Sequence, residues 1–326
     1  MLGAALAGCG QVVGATTLVL YNGQHPQTTA ALVRAFEAAT GIQVAVRSND
    51  EDVLAQQLVQ EGASSPADLI YSENSPALEF LQRRVRLAPV AAATLADVPR
   101  RDSSPGGDWV GVSARVSALV YNTRRLSRSQ LPTSVMQLAQ PRWRGLLAIA
   151  PGETDFQPII TAVAQAHGRR AALSWLRAIK ANAGSRDYPD NETLTAMVNS
   201  GQAAIGIINN YYWYRLRAQL GAAGMQSALA YLAPRDPGYV VDVSGAAVLR
   251  SSHHQAAAQR FLAFLVSRPG QEILAHGDSY EYPLGSGVKS ARGIPALASL
   301  RPDPISLARL GVGAEAVALL HQAQLL

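Results

Sequence analysis

Apolar positions along this chain fall into short runs separated by helical stripes. Leu18 to Tyr21 is a compact run of strand type. Asn22-Gly23-Gln24-His25-Pro26 breaks it, Gly favouring a turn and Pro suiting a first helical turn. From Thr28 onward Leu32, Val33, Phe36 and Ala39 recur at helical spacing until Gly41 offers a C-terminal cap. Ile42 to Val46 alternates as a strand. Asp50 to Glu61 predicts a helix with Val53, Leu54, Leu58 and Val59 on one face, stopped by Gly62. Ala67 to Tyr71 is again a buried strand, running out at Ser72-Glu73-Asn74. The order β-α-β-α-β predicts a parallel sheet with helices on its faces.

The remainder repeats the alternation with two exceptions. Asp108 to Thr123 is an extended stretch long enough to run between lobes, with Arg115 in its middle, and Tyr239 to Gly245 is a second one that can return the chain. Between them, Leu146 to Ala150 predicts a strand, followed by Pro151-Gly152-Glu153-Thr154-Asp155-Phe156 as a turn into a helix reaching about His167. Ala171 to Ala181 and Glu192 to Ser200 predict helices on either side of a polar loop. Ala203 to Ile208 predicts a buried strand of about six residues. Directly behind it stand Asn209-Asn210-Tyr211-Tyr212-Trp213-Tyr214. Gln255 to Val266, Gln271 to His276 and Ile305 to Gln324 predict the final helices.

Open α/β sheets bind ligands in the crevice outside the carboxyl ends of their strands. His25, Glu73 and the pair Tyr211-Tyr212 all follow predicted strands at that edge. Each has a plainer reading. A loop His is usually surface, a Glu after a strand usually caps a helix, and adjacent tyrosines usually anchor a core. Adjacent side chains also point apart, unless a turn or a helix start lets both converge. Arg115 is a candidate anion clamp or a surface salt bridge. A helix start such as that after Pro151 attracts anions, but Glu153 and Asp155 put carboxylates there, which suits capping and the helix dipole equally well.

Composition narrows the classes. Nearly half of the 326 residues are apolar (48%) and 16% are charged, which indicates a folded chain long enough for two lobes. The net charge of +5 comes from scattered arginines without an aromatic-interleaved patch, so nucleic-acid binding is not indicated. Mild basicity suits an anionic ligand or metal chelate, but mostly reflects solvated surface. The one cysteine, Cys9, excludes an intramolecular disulfide and a cysteine metal cluster. Leu6-Ala7-Gly8-Cys9 resembles a bacterial lipobox, in which the Cys is acylated, although the segment before it is too short and lacks Lys or Arg for a complete signal peptide. No uncharged run reaches the ~18 residues needed to span a bilayer.

Taken together, the chain resembles the ferric-ion-binding proteins of bacterial ABC iron importers, a branch of the type II periplasmic binding proteins. The resemblance rests on Tyr21-Asn22-Gly23-Gln24-His25, Ser65-Pro66-Ala67-Asp68 with Tyr71-Ser72-Glu73, Ile208-Asn209-Asn210-Tyr211-Tyr212-Trp213, Arg235-Asp236-Pro237-Gly238, Ser244-Gly245-Ala246-Ala247-Val248-Leu249 and Glu281-Tyr282-Pro283-Leu284, in order and at spacing, from about residue 17 to the C-terminus. It implies an α/β clamshell of two lobes, each a mostly parallel sheet flanked by helices, joined by two crossing strands. We place residues 1–16 as a truncated lipoprotein signal or tether, 17–114 with 238–285 as the N-lobe, and 115–237 with 286–326 as the C-lobe.

The resemblance further implies that His25, Glu73, Tyr211 and Tyr212 ligate Fe(3+), and that Asn191 and Asn209 help hold a partner anion, with water completing the shell. Two phenolates, a carboxylate and an imidazole suit a hard trivalent cation. The departure is Glu153-Thr154-Asp155, where phosphate-holding relatives tend to carry small residues. Phosphate is therefore not expected here. Either a protein carboxylate, Asp155 before Glu153, takes its place, or a different anion or chelate binds, held by Arg115. The implied partners are an ABC permease and its ATPase, the implied place the periplasm or the outer face of the cytoplasmic membrane, and monomer is the default state. A same-fold receptor for a ferric chelate, polyamine or inorganic anion is the alternative. A metalloenzyme is disfavoured because no nucleophile–base pair stands beside a strained turn.

Overall fold

The computed structural model describes residues 16–285, 287–291 and 293–326; Cys9 lies outside them. The opening unit is β1 (Thr17–Gly23), α1 (Pro26–Thr40), β2 (Gln43–Ser48), α2 (Glu51–Glu61) and β3 (Leu69–Ser72). β1 lies between β2 and β3 and is parallel to both. α1 stops where the stripe stops: Gly41 takes a φ of 72° and turns its N–H onto the Glu37 carbonyl at 2.8 Å. On its buried face, Phe36 meets the Phe261 ring edge-on at 4.9 Å.

α3 (Ser75–Arg84) and α4 (Ala92–Ala96) lead into β4 (Val110–Asn122), which is buried along its whole length. Next come β5 (Leu147–Ala148), a short turn at Thr154–Phe156, α5 (Gln157–His167) and α6 (Arg169–Ala183). α7 (Asn191–Asn199), β6 (Ile205–Asn209), α8 (Asn210–Leu220) and β7 (Ser227–Ala230) follow. The chain returns through β8 (Val241–Val248), α9 (Gln255–Val266), α10 (Arg268–His276) and β9 (Tyr282–Pro283). It closes with α11 (Leu307–Leu310) and α12 (Ala314–Gln322). The last predicted helix is thus two pieces, because Gly311 and Gly313 adopt φ of 66° and 71°, outside the helical region.

The strand order is β2-β1-β3-β8-β4-β6-β5, with β7 and β9 also paired to β4. β4 serves two halves: Val110 to Val116 pairs with β8, whereas Ser117 to Tyr121 pairs with β6 and Leu119 to Asn122 with β7. Parallel pairing holds for β1 with β2, β1 with β3 and β5 with β6. Every pairing made by β4 or β8 is antiparallel, so the sheet is mixed rather than mostly parallel. The cause is the two extended stretches: one carries the chain out of the first half, the other brings it back, and they lie side by side.

The β4–β8 ladder is irregular between Gly111 and Ser113. A Cβ on Gly111 would stand 1.9 Å from the Asp102 carbonyl oxygen, a rigid neighbour, whereas one on Gly152 would meet nothing within 4 Å. Gly111→Ala is expected to destabilise the fold by ~1–3 kcal/mol through overpacking, and Gly152→Ala to do far less. Urea unfolding of the two variants checks this; equal midpoints would refute the close approach.

Candidate metal centre

Three strand ends and one turn build the site. His25 follows β1 and caps α1; Glu73 follows β3; Asp155 sits in the turn before α5; Tyr211 and Tyr212 occupy the first turn of α8, directly after β6. The helix start resolves the problem of adjacent side chains, because its curvature sends both phenols to one side. Their rings belong to a core cluster with Val120, Leu194, Val198 and Ile208, and pack 4.1 Å apart between centroids, tilted by 35°. Core anchoring and polar chemistry are thus divided between the ring and the hydroxyl of the same residues.

The hydroxyls meet an unusual density of acceptors. The Tyr211 oxygen lies 2.6 Å from Glu73 Oε1, 3.1 Å from His25 Nε2 and 3.2 Å from Asp155 Oδ2. Tyr212 donates to the same Asp155 Oδ2 at 2.9 Å, and the Asn191 amide reaches it at 3.4 Å. His25 Nε2 is also 3.1 Å from Glu73 Oε1. Asp155 Oδ1 is buried with no hydrogen-bond partner. One imidazole, two phenols and two carboxylates therefore crowd together with few protons to share. Oxygen-rich donors of this kind suit a hard cation.

The charges respond to that crowding. Burial alone would raise Glu73, but the adjacent His25 and the Arg115 guanidinium hold its carboxyl far below the usual carboxylate range. Burial opposes a charge on His25, and Glu73 more than offsets this, raising the imidazole above its ordinary value. Burial and the neighbouring Glu73 push Asp155 up to about 6, and burial with Asp155 pushes Glu153 up to about 9. Both phenols are held well above 10, by burial first and by Asp155 and Glu73 next.

The site opens on a cleft of about 520 Å³. Among the described residues its lining carries Asp50, Glu51, Glu73, Glu153 and Glu192, against His25 as the one basic group. Glu73 is charged in this wall, and the buried acids beside it, held protonated by their crowding, can give up protons to an incoming cation. Thr154 stands on the rim, where its hydroxyl accepts from Asn74 at 3.1 Å. Asn209 ends β6, and among the described residues its side chain makes no hydrogen bond to the cluster.

Arg115 is neither a surface salt bridge nor exposed to the cleft. It is fully buried, with Nη2 3.1 Å from Glu281 and 3.9 Å from Glu73, and Nη1 donating to the Asn74 side-chain Oδ1 at 3.2 Å. Glu281 also accepts from Gln24 at 3.2 Å and from the Ser113 hydroxyl. Ligand atoms of His25, Glu73 and Glu281 lie within 4.8 Å of one another, but Glu281 is already committed to Arg115, which bars a cation from that side. The phenol side is the open one. Glu51, Asn74, Glu192 and Glu281 escaped the sequence reading. Glu281 lies in a quoted motif without an assigned role, and Glu51 reads as an ordinary first-turn acid.

The family model described as "Bacterial extracellular solute-binding protein" matches residues 64–301. The "Fe(3+)-binding periplasmic protein" of Serratia marcescens is 38% identical, covering 95% of this chain and 90% of its own. The "Major ferric iron-binding protein" of Neisseria meningitidis serogroup B is 36% identical, covering 94% and 92%. The crystal structure of iron-bound HitA from Pseudomonas aeruginosa superposes with a TM-score of 0.90 at 39% identity, covering 94% of this chain and 99% of that one.

Removing one partner of the buried Arg115–Glu281 pair leaves an uncompensated charge. Glu281→Leu is therefore expected to cost ~3–5 kcal/mol in unfolding free energy. Urea denaturation of the metal-free protein measures it, and a stability matching the parent would show that the pair is not the anchor described here.

Proposed function

This chain belongs to the bacterial extracellular solute-binding proteins, and on that footing we propose that it captures ferric iron between its two halves and delivers it to a membrane permease. The observation that carries this reading is the convergence of both phenols on Asp155 and Glu73, with His25 at 3.1 Å from the Tyr211 oxygen. The relatives named for ferric iron support the identity of the cargo. His25, Glu73, Tyr211 and Tyr212 are the ligands in this reading, with Asp155 supplying the carboxylate that replaces a phosphate. The unpartnered Asp155 Oδ1 supports that choice, as does the absence of Lys and Arg from the cleft lining among the described residues.

The lobes move about the place where β4 changes partners. We divide them as 17–114 with 238–285 and 115–237 with 286–326, close to the switch between Val116 and Ser117. Iron draws His25 and Glu73 toward the phenols and favours the closed state. That closed state is the form an ABC permease and its ATPase would recognise, from a monomeric receptor in the periplasm. Acylation at Cys9, supported by Leu6-Ala7-Gly8-Cys9 alone, would tether it to the outer face of the cytoplasmic membrane.

In the empty protein both phenols are protonated at neutral pH. Iron and protons compete for the same oxygens, so loading should release about two protons from the tyrosines and retention should weaken as pH falls. The test is a visible-absorption titration of metal-stripped protein with ferric citrate, free of phosphate and carbonate. A phenolate-to-iron charge-transfer band saturating at one equivalent, lost in Tyr211→Phe, is expected. A band that appears only with added phosphate would remove Asp155 from the shell. One that appears only with citrate, and not with ferric nitrilotriacetate, would make the chelate the cargo; no band under any condition would end the iron reading.

The same titration of Asp155→Ala, which empties the carboxylate position, is expected to show iron loss to a competing chelator that slows on adding phosphate. Insensitivity to phosphate in both proteins would show that the anion position lies elsewhere.

A further inference from the structure

A second guanidinium touches the candidate centre and is absent from every role assigned above. Arg215 lies one helical turn after Tyr211 on α8, the spacing at which helix side chains meet. Its Cζ stands 4.7 Å from the centroid of the Tyr211 ring. Only 8% of the residue is exposed, and Nη1 and Nη2 are both buried without a hydrogen-bond partner. The carboxylate nearest to it, Glu192, is half-exposed and 3.6 Å away. Arg115 is also near the ring, at 5.9 Å, but its charge is taken up by Glu281 and Glu73. The charge of Arg215 is left facing the aromatic ring.

The other end of this side chain reaches across the molecule. Arg215 Nε donates to the Asp278 carbonyl at 2.9 Å. Asp278 lies in the segment between α10, which packs on α1 and α9, and β9, which pairs with β4 at Ser113 and Ala114. That segment belongs to the half carrying His25, whereas α8 packs on α7, β6 and β7 of the other half. Beside the bond, Tyr214 stacks on Tyr280 at 6.3 Å, and Tyr280 holds the left-handed backbone, φ 54°, seldom adopted by an aromatic residue.

We infer that Arg215 is a positioning residue for metal capture: clamped by the Asp278 carbonyl of the opposite half, its guanidinium lies on the Tyr211 ring and stabilises the negative charge that ring carries when it binds the metal. This rests on the reading of Tyr211 as a ligand. A cation over a ring face gains more from a phenolate than from a phenol, and the gain is larger where water is excluded. The clamp and the metal then favour the same state, and each strengthens the other reciprocally.

The experiment compares the full chain with Arg215→Gln, Arg215→Lys and Arg217→Gln, all loaded with ferric iron. Arg217 stacks on Trp213, so its variant removes an equal charge from the same helix away from Tyr211. Two quantities are read: the position of the charge-transfer band and the rate of iron loss to excess EDTA. For Arg215→Gln the band should move to longer wavelength, because an uncompensated phenolate gives up its electron more easily, and iron loss should quicken by roughly tenfold or more. Arg217→Gln should behave as the parent. A merely structural Arg215 would alter stability and loss rate without moving the band, so an unmoved band overturns the proposal. Should Arg215→Gln fail to fold, Arg215→Lys decides: a smaller shift in the same direction supports the inference, and none overturns it. Absence of the band in the parent protein would instead defeat the iron reading itself.

Discussion

The buried ion pair of Arg115 with Glu281 sets the frame for everything around the cleft. Both side chains are wholly removed from solvent, which is costly unless each charge is matched and hydrogen-bonded. Matching one guanidinium fixes several neighbours at once. Its Nη1 holds Asn74, and Asn74 in turn donates to Glu51 at 2.8 Å and to Thr154 across the cleft at 3.1 Å. Its Nη2 faces Glu73 as well as Glu281. Glu73 thereby remains charged against its own burial, with His25 as the larger contributor and Arg115 the next. An acidic site is assembled around a cation that cannot leave.

Much of this architecture was legible in the sequence because local periodicity and turn residues agreed with it. Gly41 ends α1 where the apolar stripe ends, and Gly62 does the same for α2. The stretch around Arg115 was readable as a crossing strand because, at 13 residues, β4 exceeds the seven of β1 within one half. Edge logic worked within each half, and the residues after β1, β3 and β6 meet because β6 runs opposite to β1 and β3, so the carboxyl ends of the two halves face each other across the middle of β4. The pair Tyr211-Tyr212 needed α8 to begin at Asn210, and the sequence allowed that start without requiring it.

What stayed hidden depends on contacts distant in sequence. Pairing direction along β4 and β8 is decided by where the chain returns, and hydrophobic pattern carries no arrow. The break at Gly311 and Gly313 is a case in which apolar periodicity continued through residues that need a non-helical backbone. Arg115 looked the same on paper whether clamped on an anion, paired at the surface or buried. Only the partner Glu281, 166 residues away, distinguishes these. Arg215 was hidden likewise, because its carbonyl partner on Asp278 has no residue-type signature.

β4 has a further consequence. Its ladder to β8 ends at Val116 and its ladder to β6 begins at Ser117, so the two sets of backbone bonds abut without overlapping. Ser117 spans the junction, its hydroxyl donating to the Gly238 carbonyl at 2.6 Å and accepting from the Val240 N–H at 2.8 Å. In mechanical terms, the two halves proposed above are plates that share one strand as an axle. Twisting the joint bends a few backbone torsions and leaves both ladders whole. In the closing motion proposed above, the ladders keep the donors within each half in register. The hinge proposed here therefore needs no disordered linker and no broken sheet.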